Sequence, residues 1–291
     1  MLEDALTIII PVYNEEESLG VQLPKLVEYC QTKGHRITLV DDGSSDGSWE
    51  RISSYIDKEG VNGLRHKVNK GYGGAIKTGI LTVKTKYCIT IDADGQHQLE
   101  DVGKLYEKIR RIDADMVIGR RIAGKEGLYR KIGKGLILNF AKILMSIRIK
   151  DLNSGMKIYN SELAKRYIKL CPDSMAFSDV IALVFINQKH LVVEEPIRVN
   201  PRLSGESTIN TRTAIETIAE ILNIVVLFNP MKVFLPIAII SLLFGLGWGL
   251  PFLITGKGLS VAAMFAMVTG ILFFFLGLLA EQLSLIRKSK I

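Results

Sequence analysis

Tyr87-Cys88-Ile89-Thr90-Ile91-Asp92-Ala93-Asp94-Gly95-Gln96-His97 is an apolar, β-prone run that ends in a carboxylate cluster. Residues 87–91 read as a buried strand, with Asp92 and Asp94 at its end. Two carboxylates one residue apart in such a place can share a hard divalent cation. Mg²⁺ and Mn²⁺ prefer oxygen ligands and accept phosphate oxygens of a bound ligand as partners. An acidic turn entering the next helix fits the same residues, since Asp is common there. The flanking sequence weighs between the two.

Upstream, Leu6-Thr7-Ile8-Ile9-Ile10-Pro11-Val12 reads as a strand that Pro11 can end, and a helix follows from about Glu16 to Cys30. Arg36 to Asp42 reads as a second strand, Gly43-Ser44-Ser45-Asp46-Gly47 as a turn, and a helix begins near Trp49. A helix from near Gly74 leads into the strand before Asp92. Another over Val102 to Arg111 precedes Asp115-Met116-Val117-Ile118-Gly119. This alternation predicts an α/β fold built on a mostly parallel sheet, whose ligands gather at the carboxyl ends of the strands. Those ends carry Tyr13-Asn14-Glu15-Glu16, Asp41-Asp42 and Asp92-Ala93-Asp94. Asn69-Lys70-Gly71-Tyr72-Gly73-Gly74-Ala75 adds a glycine-rich helix entry, either an anion cradle or a tight turn. It is not a dinucleotide fingerprint, because Ile76 stands where a third glycine belongs.

The chain has 291 residues and a net charge of +7. Its last third is of another kind. Val233 to Ile254 and Leu259 to Ala280 contain no charged residue, and each run is long enough to cross ~30 Å of hydrocarbon as a helix. Lys232 before the first span and Arg287, Lys288 and Lys290 after the second outweigh Lys257 between them, which predicts both termini inside. Met1-Leu2-Glu3-Asp4 does not resemble a signal peptide, so the large domain is expected to be cytosolic. Between Arg120 and Lys150 there are nine basic residues and one acid, Glu126, a stripe suited to anionic lipid or phosphate. Leu128 to Ile149 and Thr211 to Phe228 show helical apolar spacing and are expected to lie in the membrane interface. Cys30, Cys88 and Cys171 are scattered and fit reduced structural thiols rather than a disulfide or zinc framework.

Taken together, Pro11-Val12-Tyr13-Asn14-Glu15-Glu16, Asp41-Asp42-Gly43-Ser44-Ser45-Asp46, Asn69-Lys70-Gly71-Tyr72-Gly73 and Asp92-Ala93-Asp94-Gly95-Gln96-His97 resemble, in order and spacing, the inverting glycosyltransferases of family 2. Asp151-Leu152-Asn153-Ser154-Gly155-Met156-Lys157, Glu195-Pro196-Ile197 and Arg202-Leu203-Ser204-Gly205-Glu206-Ser207 look like later motifs of the polyprenyl-phosphate branch, which includes dolichol-phosphate mannose synthases and bactoprenol glucosyltransferases. The resemblance implies a GT-A (Rossmann-like) domain over 1–210, an amphipathic helix over 211–230 and a two-helix anchor over 231–291. It implies a cell-membrane or endoplasmic-reticulum-type location, multi-pass, with the catalytic domain cytoplasmic.

Carried over by motif, Asp42 would contact the nucleotide base, helped by Pro11, Tyr13 and Glu15. Asp92, Asp94 and Gln96 would hold Mg²⁺ or Mn²⁺ and the donor diphosphate, and Arg202 and Ser207 would meet phosphate from the far side. Arg120, Arg121, Arg130 and Lys131 are candidates for the acceptor phosphate. Asp151 falls near the reaction centre, where it would orient arginine or metal. A phosphate acceptor is already anionic near neutral pH, so no general base is required. The donor expected first is UDP-glucose, then GDP-mannose, with dolichyl or undecaprenyl phosphate as acceptor and inversion to a β-linked product. Thr208, and Lys134 or Gly135, depart from the branch's usual acceptor pattern. His97 is expected beside the metal site rather than on the metal.

Two other readings compete. A polysaccharide synthase carries a Gln-x-x-Arg-Trp motif, but Trp49 and Trp248 are not preceded by Arg. A catalytically silent scaffold of the same fold has no need of Asp92, Asp94 and Arg202. Nucleic acid is not an expected partner, because no aromatic platform interleaves the basic stretch. Gly245-x-x-x-Gly249, Ala266 and Gly270 are candidates for a homo-oligomer contact.

Overall fold

The computed structural model describes residues 5–122, 149–200, 219 and 222–288. These form two compact units, the second made of the C-terminal residues from 222.

The first unit holds a seven-stranded sheet: β1 (Leu6–Val12), β2 (Arg36–Asp41), β3 (Val61–Arg65), β4 (Tyr87–Thr90), β5 (Met116–Arg121), β6 (Lys157–Asn160) and β7 (Val192–Ile197). The order is β3-β2-β1-β4-β6-β5-β7. The expected parallel arrangement holds for β3, β2, β1 and β4, and for β5 with β7. β6 alone runs antiparallel to both its neighbours, which makes the sheet mixed. Pro11 sits inside β1 rather than ending it. Its missing N–H is tolerated because the β4 ladder has already stopped at Ile9.

Between the strands run α1 (Glu16–Lys33), α2 (Ser48–Ser53), α3 (Tyr72–Thr82), α4 (Leu99–Arg111), α5 (Ser161–Tyr167) and α6 (Phe177–Asn187). In α4, Val102, Leu105, Tyr106 and Ile109 recur at helical spacing and are buried, and its last turn carries Lys108, Arg110 and Arg111 against the negative end of the helix dipole. Leu19, Leu23, Leu26 and Val27 of α1 meet the same core, which includes Ile8, Ile10, Leu39 and Ile89. α6 is buried from Phe177 through Phe185, so it lacks the amphipathic period that would announce it. The three cysteines are buried and free, as the sequence predicts. Burial pushes the thiols of Cys30 and Cys88 up to about 12, which keeps them neutral and unreactive.

The second unit contains α7 (Met231–Ile254) and α8 (Val261–Lys288), packed along their length, and helical residues 222–228. Both helices are long and apolar enough to cross a membrane. Ile240, Phe244, Trp248, Phe265 and Phe275 stand exposed around them, a surface suited to lipid rather than water. A Cβ on Gly245 would meet Met267 and the Ala263 carbonyl at 3.0 Å or less, and one on Gly270 would meet Leu242 and the Ala238 carbonyl. Gly245 and Gly270 therefore let α7 pack closely against α8 within the chain. All but Ile149 of the interface helix expected over 128–149 lies outside the described residues, as does half of the stretch expected as a helix over 211–230.

Candidate active site

The sequence motifs meet at the carboxyl ends of β1, β2 and β4. Loops after β1 and β2 are stapled together by short polar side chains. Asn14 receives Ser45 N–H on Oδ1 at 2.9 Å and donates its own N–H to Ser44 Oγ at 3.0 Å. Glu15 N–H donates to Ser48 Oγ at 2.9 Å, and Glu16 N–H to Asp46 Oδ2 at 3.1 Å. Asn14 takes a left-handed conformation to do this (φ 54°), which asparagine tolerates better than most residues. Tyr13 is left half-exposed at the rim, available to a flat ligand, while Glu15 accepts from Ser18 Oγ at 2.7 Å.

Asp42 has partners that sequence reading did not foresee. It is buried, its Oδ1 lies 2.6 Å from His66 Nδ1 and accepts from Lys70 N–H at 2.9 Å, and its Oδ2 accepts from Gly71 N–H at 2.8 Å. His66 Nε2 in turn meets Thr78 Oγ1 at 2.9 Å. Both Asp42 oxygens thus hold the glycine-rich loop in place. That loop is not an open anion cradle. Gly73 and Gly74 N–H both donate to the Asp173 carbonyl, at 2.8 and 3.2 Å, so the first turn of α3 is closed by protein.

Asp92 lies at the centre of the site. Its Oδ1 accepts from Tyr72 OH at 2.9 Å and its Oδ2 stands 3.4 Å from His97 Nε2. Burial pushes its carboxyl pKa up, but His97, Tyr72 and the charge of Lys157 more than offset this and hold it below the usual range. Burial and the neighbouring Asp92 raise Tyr72 well above an ordinary phenol, so it remains an O–H donor. Asp94 is buried and accepts Gln96 N–H at 3.1 Å. The strand extension beyond β7 closes over this turn, with Asn200 N–H donating to the Gln96 carbonyl at 2.9 Å and His97 bridging to Val199. Gly155 comes up behind: a Cβ there would lie 2.2 Å from Asp92 Oδ2.

The donor set suits a hard cation. Among the described residues no group of three or more His, Cys, Asp or Glu forms a metal site by itself. Asp92, Asp94 and the Gln96 amide supply oxygen only, an incomplete set of the kind Mg²⁺ takes when it keeps waters and binds ligand phosphates.

Arg121 at the end of β5 is not a loose surface cation. Its Nε and Nη2 form a two-point pair with Asp151 at 2.8 and 2.7 Å, and Nη2 also reaches the Asn153 carbonyl at 3.0 Å. The pair lowers Asp151 below the usual carboxylate range against the opposing effect of burial, which unfits it as a base. Glu194 Oε1 accepts the backbone N–H groups of Lys150 and Asp151, at 2.8 and 2.9 Å, and anchors the loop. Strand alternation puts Arg120 on the face opposite Arg121. Arg130, Lys131, Arg202 and Ser207 lie outside the described residues.

The profile of glycosyl transferase family 2 matches residues 7–167, and that of the GtrB C-terminal hairpin matches residues 229–286. A dolichyl-phosphate beta-glucosyltransferase of Dictyostelium discoideum is 30% identical over 216 residues, covering 67% of this chain and 65% of the relative. A dolichol-phosphate mannosyltransferase of Pyrococcus furiosus is 31% identical over 223 residues, covering 74% and 62%. The chain spans less than two thirds of the length of either. Glucosyl-3-phosphoglycerate synthase from Mycobacterium tuberculosis, solved with Mn²⁺, UDP and phosphoglyceric acid, superposes with a TM-score of 0.60 at 13% identity, covering 76% of this chain and 78% of that one. The fold is therefore the GT-A type the motifs predict.

Proposed function

The chain belongs to glycosyl transferase family 2, and on that premise we propose that it is a membrane-bound inverting transferase moving a hexose from a nucleotide sugar to polyprenyl or dolichyl phosphate. UDP-glucose is the first expected donor and GDP-mannose the second. The observation that carries the reading is Asp92, fixed between Tyr72 and His97 at the carboxyl end of β4 beside Asp94. The names of the glucosyl- and mannosyltransferase relatives support the acceptor class.

Asp92, Asp94 and Gln96 would hold Mg²⁺ or Mn²⁺, which when bound neutralises charge on the departing nucleotide diphosphate. The chain's own residues do the rest. Tyr72 and His97 keep Asp92 ionised and aimed, and Tyr13 at the rim offers a face to the base. Arg121, preset by Asp151, would receive the acceptor phosphate, whose oxygen attacks the anomeric carbon in line. Planar two-point pairing suits arginine to the Asp151 carboxylate that presets it. No residue needs to remove a proton, since the nucleophile arrives ionised, and catalysis rests on positioning and charge. Arg120, Arg130 and Lys131 are further candidates for the acceptor, and Arg202 and Ser207 for the donor phosphates. α7 and α8 would anchor the protein with the catalytic domain on the cytoplasmic side.

The test is transfer from radiolabelled UDP- and GDP-sugars to polyprenyl phosphate in detergent with Mg²⁺ or Mn²⁺, beside Asp94→Ala. Chloroform-extractable label that disappears in the variant, with a β-linked product by NMR, is the expected result. An α-linked product overturns the inverting mechanism, and no label from any donor overturns the activity.

A further inference from the structure

Lys157 is fully buried in β6, paired across the sheet with Thr90 of β4 and Ile118 of β5. Burying an ammonium costs several kcal/mol unless it is well partnered, and a methionine would fill the same space at less cost. The partners it has are specific. Its Nζ donates to the Ser154 carbonyl and to Ser178 Oγ, the latter at 2.6 Å, and Ser178 Oγ donates to that same carbonyl at 2.8 Å. Ser154 stands in the short loop between Asp151 and Met156. At one end of this loop Asp151 grips Arg121, and at the other Gly155 lies against Asp92 while its carbonyl accepts Thr90 Oγ1 at 2.9 Å. Asp179, Asp151 and Asp92 face the ammonium with negative charge, and Arg121 faces it with positive charge.

We propose that Lys157 is a positioning residue: by tying down the Ser154 carbonyl it fixes the loop that seats Gly155 against Asp92 and presents Asp151 to Arg121. One buried cation thereby sets the metal-ligand end and the acceptor end of the site together. Leu152 and Met156 bury their side chains at either end of the loop, and Lys157 holds the Ser154 carbonyl between them. The role assigned to Lys157 in transfer rests on the function proposed above, whereas its hold on the loop does not.

The experiment uses the full chain in detergent and compares Lys157→Met, Lys157→Arg and Ser178→Ala with the parent. Amide hydrogen exchange is read in peptides covering 151–156 and 92–98, with β1 and α1 as internal controls. Initial rates of sugar transfer are read from the same preparations. The expected result for Lys157→Met is exchange at 151–156 faster by about tenfold or more with control peptides unchanged, and kcat reduced by roughly 10- to 100-fold with a smaller change in donor KM. Ser178→Ala moves both readouts less in the same direction, and Lys157→Arg, which keeps the charge, recovers part of the loss. Should Lys157→Met fail to fold, Ser178→Ala carries the test. Unchanged exchange at 151–156 in the folded variants overturns the proposal, whatever the rates. If the parent transfers no sugar, the proposed function falls, and the exchange data still decide the role of Lys157.

Discussion

Asp151 grips Arg121 at three points: guanidinium Nε to Oδ2 at 2.8 Å, Nη2 to Oδ1 at 2.7 Å, and the Arg121 backbone N–H to Oδ2 at 3.1 Å. In the proposed mechanism Asp151 therefore acts through the arginine it holds. Asp151→Asn keeps the volume but offers one acceptor and a mismatched amide, so Arg121 is freed. The expected loss in kcat/KM for polyprenyl phosphate is about 10- to 100-fold. Arg121→Lys should lose a similar amount, because an ammonium cannot span both oxygens. Since the two residues act as a unit, the double variant should be little worse than either single one. Fully additive losses in the initial rates of the three variants would show independent roles.

Gly155→Ala should separate activity from stability. The added methyl would collide with the Asp92 carboxylate, 2.2 Å away, and that carboxylate, at the end of its side chain, can move aside by giving up Tyr72 and His97. The fold can absorb the change while the metal-ligand geometry cannot. A rate loss of about 100-fold or more is expected, with the melting temperature within a few degrees of the parent, roughly a 1 kcal/mol effect. Parent-like rates would mean that the orientation of Asp92 does not matter.

Tyr72→Phe removes one hydrogen bond and almost no volume. Its OH is the donor to Asp92 Oδ1, 2.9 Å away, whereas His97 Nε2 stands 3.4 Å from Oδ2. The net cost in stability should be about 1 kcal/mol. The larger effect should appear as a Mn²⁺ requirement raised by roughly 10-fold, the range seen when groups behind metal ligands are removed. Initial rates against Mn²⁺ concentration at saturating donor measure it, and an unchanged half-saturation point would remove Tyr72 from the site.

Asp42→Ala should act on stability first. The carboxylate is buried and meets three groups of the segment 66–71, so its loss takes that partner from His66 Nδ1 and Lys70 N–H, while Gly71 N–H keeps Asn69 Oδ1 at 2.8 Å. The expected cost is about 2–4 kcal/mol. That should appear as a fall of roughly 5–15 °C in melting temperature for the folded unit. A variant with parent-like melting but altered preference between UDP- and GDP-sugars would instead favour direct contact with the base.

What the sequence displays and hides follows from how each element is buried. β1, β2 and β4 are legible because parallel strands covered on both faces read as continuous apolar runs. β3, Val61-Asn62-Gly63-Leu64-Arg65, is an edge strand with a glycine at its middle and only partial burial, so it reads as loop. β6 has four residues and begins with a lysine, which in isolation reads as surface. Only pairing with β4 on one side and β5 on the other makes it a strand. The Asp92-Ala93-Asp94 pair was visible because its spacing is local. The partners of the site acids were not, since Tyr72 reaches Asp92 across 20 positions and His66 reaches Asp42 across 24. Such contacts belong to the fold, and no local pattern encodes them.

Lys157 gives a pH signature of opposite sign in stability and in activity. Burial lowers its ammonium pKa from 10.5 to about 8, with Asp179, Asp151 and Asp92 opposing the shift and Arg121 adding to it. Below about pH 8 the folded and unfolded chains both carry the proton, and the folded state bears the full cost of the buried charge. Between about 8 and 10.5 the unfolded chain still binds the proton while the folded one has released it, so this group's contribution makes the fold more stable as pH rises. The hold on Ser154 depends on the ammonium, however, and weakens over the same window. Transfer is therefore expected to fall as pH passes about 8, while the melting temperature of the parent rises relative to Lys157→Met. Cys30 and Cys88, pushed up to about 12, do not titrate there. Parallel pH–rate and pH–melting series on the two proteins decide the matter. An identical alkaline limb in Lys157→Met would assign the loss of activity to a different group.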